Sequence, residues 1–141
     1  MQETDRTGEL VIERHALQQM LLHALQSPDT CRGVFGGPQA AHISHAALTG
    51  SDEAEVIIEH SQADSLGLFY ADLCGHAPDI ARLGQLAAEL QLALPRRCIL
   101  LCLDTAGRME ARAFRQHSDS LVAESLEMAE DHTLSQAPAS R

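Results

Sequence analysis

The chain carries no Trp, one Tyr and three Phe in 141 residues. Aromatic stacking therefore builds neither its core nor a base-stacking platform, and Leu, Ala, Ile and Val must fill the interior. Basic residues are also scarce, ten against twenty acidic ones for a net charge of −10, and none cluster. The counterion release that drives nucleic-acid binding has no source here, which excludes nucleic acid as the expected partner. No apolar run approaches the roughly 20 residues that span a bilayer, and no charged-then-apolar leader opens the sequence, so a membrane partner is not expected either. The four cysteines, Cys31, Cys74, Cys98 and Cys102, lack CxxC spacing, and the last two lie in the apolar run CILLCL. They read as the reduced, buried thiols of a cytoplasmic protein. Gly33, Gly36 and Gly37 are followed by neither GK[ST] nor GxGxxG, so they imply close backbone approach or a tight turn, not a phosphate loop.

The length suits one domain with one core. Residues 1–7 are polar and expected to be disordered; ELVIE then reads as a short strand. From Arg14 to Gln26 the residues Leu17, Leu21, Ala24 and Leu25 predict one apolar helix face. CRGVFGG reads as a short strand, and PQAAHISHAAL (38–48) as another. Ser51 offers an N-cap to a helix over 52–62 whose first turn holds Asp52, Glu53 and Glu55. LGLFYADL (66–73) is an apolar strand. The spacing of Ile80, Leu83, Ala87, Leu90 and Leu94 predicts a helix over 79–94. CILLCLD is a strand covered on both faces, followed by MEARAFR and LVAESLEM as two further strands of a meander. These elements predict an α+β (α/β-like) fold, a mixed central β-sheet flanked by helices with a C-terminal antiparallel meander, over residues 8–128. Residues 129–141 are expected to form a disordered tail.

Three stretches together resemble the MPN/JAMM domain family in its single-domain prokaryotic form: SPDTCRGVFGG; LGLFYADL with APDIARL; and RRCILLCLDTAGRMEARAFRQHSDSLVAESLEM. Gly67 stands three residues before Tyr70, where the family places a glycine before its first histidine. The resemblance implies a cytidine-deaminase-like architecture and a zinc peptidase site. In such a site two histidines and an aspartate hold the metal, a glutamate takes the proton of the bound water, and a serine stabilises the oxyanion. Carried onto this sequence, the glutamate falls on Thr30, the histidines on Tyr70 and Asp72, the serine on Asp79 and the aspartate on Arg82. All five are changed. A phenol is a poor zinc ligand at neutral pH, and Arg82 sets a cation where Zn²⁺ would sit, although it could instead pair with Asp72.

The resemblance thus implies a pseudoenzyme with no catalytic residues, no cofactor and no metal, serving as a protein-binding or scaffold module. Its partner groove would be lined by Phe69, Tyr70, Asp72 and Arg82. The implied partners are a ubiquitin-like or sulfur-carrier protein, an active JAMM subunit, or a second copy in a homodimer. The alternative is a divergent zinc metallopeptidase or isopeptidase with displaced ligands drawn from Cys74, His76, Asp72 and Asp79, with Glu89, His42, His45 and His60 as further donors. Eight histidines in this length make chance His pairs unsurprising. A cysteine nucleophile at Cys74 or Cys31 would need an aligned base, and Cys31 reads better as a small core residue. Glu124, Glu127, Glu130 and Asp131 read as a solvated edge and tail.

Overall fold

A computed structural model describes residues 9–26, 30–73, 80–89, 96–103, 106–116 and 121–129. The segments expected to be disordered, 1–7 and nearly all of 129–141, lie outside them. Among the described residues the order is β1 (Glu9–Glu13), α1 (Arg14–Gln26), β2 (Thr30–Gly36), β3 (His42–Ile43), β4 (His45–Leu48), α2 (Asp52–His60), a 3₁₀ turn (Ala63–Ser65), β5 (Gly67–Asp72), α3 (Ile80–Glu89), β6 (Arg96–Leu103), β7 (Met109–Gln116) and β8 (Leu121–Ala129).

The eight strands form one sheet in the order β3-β1-β8-β7-β6-β5-β2-β4. β1 is parallel to both β3 and β8, β5 is parallel to β6, and the remaining pairs are antiparallel. The two edge strands, β3 and β4, are consecutive in the chain and separated only by Ser44. One continuous stretch, 42–48, therefore pairs with β1 at its start and with β2 at its end. The Ser44 N–H donates to Gly36 O at 2.9 Å and the Val11 N–H to Ala41 O at 3.0 Å, tying both margins of this seam. The sheet curls into a nearly closed barrel.

The concave face is covered by α1, whose buried Ala16, Met20 and Ala24 join Leu10, Ile12, Phe35, Ile43, Phe69, Ile99 and Leu101 in one cluster. The small Ala16 and Ala24, either side of Met20 on the buried stripe, let the helix axis approach the concave wall. On the outer face, α2 packs Ala54 and Ile57 on Val34 and Ala47, and α3 packs Leu83 and Leu86 on Leu68, Cys98, Leu100, Cys102 and Phe114. β6 is thus covered on both sides, as its unbroken apolar run implied. The helix-flanked MPN/JAMM sheet expected from the sequence is corrected accordingly. The strand segment 42–48 joins the edges that such a sheet would leave apart, and one helix lies inside the curl instead of on a flank.

Curvature this tight needs backbone clearance, and the glycines of β2 and β5 supply it. In register, Gly33 faces Phe69 and Phe35 faces Gly67, so each phenyl ring lies across the strand from a residue without a side chain. A Cβ on Gly33 would overlap the Phe69 ring and Ala47 O, and one on Gly67 the Phe35 ring and Arg97 O. Where β6 begins, the inner face ends in an ionic layer. Arg97, 2 % exposed, donates through Nη1 to Glu124 Oε2 at 2.6 Å and through Nε to Asp64 O at 2.7 Å. Its Nη2 reaches Asp64 Oδ1 at 3.2 Å, and Arg115 lies 3.6 Å from the same oxygen. Glu124, expected on a solvated edge, is buried here with a side chain 1 % exposed. Its position opposite Ala113 turns it into the barrel.

Candidate functional site

Thr30 and Asp72 are direct cross-strand partners at the ends of β2 and β5, and Tyr70 faces Arg32 two residues away. Three of the five family-matched positions therefore share one corner of the sheet. Asp79, Cys74 and His76 lie outside the described residues, as does the side chain of Arg82, and the Asp72–Arg82 pair with them. The expected partner groove needs correction at Phe69. Adjacent residues of a strand point to opposite faces, so while Tyr70 packs half-buried against the outer cluster, Phe69 is fully buried inside with His23 stacked on its ring. It cannot line a groove. Glu89 is exposed and 3.4 Å from Arg32, and Cys31 is partly buried against the inner cluster. Among the described residues no group of three or more His, Cys, Asp or Glu side chains is arranged to hold a metal ion.

A denser concentration of polar chemistry stands at the seam. Glu13, nearly buried at the end of β1, accepts a hydrogen bond from His42 Nε2 at 2.7 Å through Oε2, and His15 Nδ1 lies 3.5 Å from its other oxygen. The His15 ring meets that of His45 edge-on at 5.7 Å, and His45 Nδ1 is 2.9 Å from Ser44 Oγ. This chain of contacts leads from a buried carboxylate to the wall of a cleft of about 520 Å³, a volume typical of ligand sites.

The cleft is bounded by α1 (Gln19), β4 (His45, Ala46), the Gly37–Pro38 loop and α2 (Asp52, Glu53, Val56, Ile57, His60). Ser51 caps α2, its Oγ accepting from the Ala54 N–H at 3.1 Å and donating to Leu48 O at 2.7 Å. From that start, Glu53, Val56, Ile57 and His60 fall on one stripe. Ile57 is buried against β2 and β4, whereas Val56, 54 % exposed, leaves apolar surface open to the cleft. His60 Nδ1 donates to Val56 O at 3.1 Å, so in the neutral ring Nε2 is left as an acceptor. On the other wall, Gln19 Oε1 accepts from the Ala46 N–H at 3.0 Å, pinning α1 to β4. The rim loop is held as firmly: Ser65 Oγ accepts from the Gly37 N–H at 3.0 Å and donates to Gly37 O at 2.7 Å, while the Gln62 N–H donates to the same carbonyl. The cavity is preformed. Sequence reasoning named His45 and His60 only as spare metal donors; the signal it passed over was the 53-56-57-60 stripe, which leaves a valine on the open side.

No protein family and no curated protein matches the chain. Among solved structures it is similar to the solution structure of protein DSY2949 from Desulfitobacterium hafniense, with a TM-score of 0.54 at 17 % identity, covering 86 % of this chain and 94 % of that one. At that identity the likeness concerns the fold alone. No helix among the described residues is long and apolar enough to cross a membrane.

Proposed function

We propose that this protein is a binding module that captures a segment of a protein partner in the cleft between α1, β4 and α2. The observation that carries this reading is a preformed, mostly apolar cavity of about 520 Å³ whose walls are cross-tied by Gln19 and Ser65. Apolar walls with a few convergent polar groups are the common form of a recognition site, and a wall rigid before binding avoids the ordering cost of association. The imidazoles of His45 and His60 reach the cleft beside exposed carboxylates, an arrangement suited to orienting a ligand. We place the protein in the cytoplasm, in keeping with Cys98 and Cys102 as buried residues of the apolar strand β6.

The test is selection of random dodecapeptides displayed on phage against the intact protein, with the Val56→Asn variant as counter-target. Val56 is exposed, so the change leaves unfolding free energy within about 0.5 kcal/mol while putting a neutral polar group on the apolar wall. Enriched peptides should bind the wild type and lose at least tenfold affinity for the variant. Peptides that bind both proteins equally, or no enrichment at all, would overturn the assignment.

A further inference from the structure

Resting on the cleft as the binding site, we infer that its ligand is a basic–apolar peptide segment, with arginine or lysine side chains flanking leucine-like ones. Among the described residues the cleft's lysine, arginine, aspartate and glutamate lining is of one sign. Asp52 and Glu53 stand at its mouth, neither having an ion-pair or hydrogen-bond partner among the described residues, and no described arginine lines it. His60, whose Nδ1 is turned to Val56 O, presents Nε2 to the same cleft. Four of the described arginines are engaged elsewhere: Arg97 and Arg115 in the ionic layer, Arg32 with Glu89, Arg112 over the Phe114 ring at 5.5 Å. No described side chain pairs with these two carboxylates, which otherwise meet only the dipole of the first turn of α2, and the net charge of −10 adds a long-range field of the same sign. Behind them, Val56, Ala46 and Pro38 offer apolar contact. A donor-rich cation at the mouth with an apolar neighbour inserted behind it satisfies both layers at once, whereas an acidic or phosphorylated segment would meet like charge.

Three acetylated, amidated octapeptides test this by calorimetry on the full-length protein in 50 mM salt: Gly-Arg-Leu-Leu-Arg-Leu-Arg-Gly and its counterparts with Gln or Glu at every Arg position. The Arg peptide should bind about tenfold more tightly than the Gln peptide, with the Glu peptide weakest. The Asp52→Asn/Glu53→Gln double variant, which keeps the Ser51 cap, should bring the Arg peptide to the level of the Gln peptide, and 0.5 M salt should do the same to the wild type. If the Arg and Gln peptides bind equally and both are lost with Val56→Asn, the charge inference is overturned and the cleft survives as the site. If no peptide binds, or binding ignores Val56→Asn, the cleft assignment itself is overturned.

Discussion

The ionic layer under β6 and the cleft beside α2 are made of the same kinds of side chain, carboxylates with nitrogen bases, yet they differ in what their charges face. In the layer, Arg97 and Glu124 have side chains 2 % and 1 % exposed and are bonded to one another at 2.6 Å. In the cleft, Asp52 and Glu53 face solvent beside about 520 Å³ of open space. A buried carboxylate bonded to a buried guanidinium serves the fold; carboxylates with no described side-chain partner beside an apolar cavity remain available to something else. The His15–Glu13–His42 group lies between these cases, a buried carboxylate shared by two rings, one of them next to His45 on the cleft wall.

Removing one partner from the layer should have the largest effect. Arg97→Met leaves Glu124 buried without its cation and should lower the unfolding free energy by about 3–5 kcal/mol in urea titrations. Adding Glu124→Gln should restore part of that loss, because the uncompensated charge is then gone. Peptide affinity at the cleft should not change in either variant; a matching loss there would mean that the two regions are not separable. The seam gives the intermediate case. Glu13→Gln removes the charge from the His42 hydrogen bond and should cost about 1.5–3 kcal/mol, read by the same titration, with the His42 and His15 imidazole resonances both displaced. Were only one ring to respond, the shared carboxylate would not link the seam to the cleft wall.

Much of the element succession could be read from the sequence, because it rests on local signals. Ser51 and the acids after it marked the start of α2, and the CILLCL run marked a strand covered on both faces. The closure could not be read. It depends on residues 42–48 dividing themselves between β1 and β2, a pairing between segments distant in the chain that leaves no periodicity. The expected face of α1 was right at Ala24, which is buried, and at Leu17, which packs against the inner cluster, but wrong at Leu25, which is 73 % exposed. The helix lies on the concave wall along the stripe Ala16, Met20 and Ala24, rotated from the face that its leucines mark. The glycines of CRGVFGG did announce a close approach, and Gly33 beneath Phe69 supplies it. Glu124 was misplaced because alternation along β8 shows which residues share a face and not which face is inside.

The smallest expected effect concerns the proton on Glu124. Burial raises its carboxyl above the ordinary value of 4.5, and the Arg97 charge and hydrogen bond offset only part of that rise. A carboxyl whose folded pKa is raised contributes stability that is fully present below the unfolded value and is lost as the pH climbs through the folded one. Glu124→Gln removes that titration and leaves the rest of the chain's acid response in place. The wild type should therefore gain stability relative to the variant as the pH falls from 7 to 4, the difference flattening once below about 4.5. Urea midpoints for both proteins across that range test this. A difference that moves the opposite way would mean that Arg97 holds the carboxylate more strongly than burial penalises it, and the layer would then draw net stability from its charge at neutral pH.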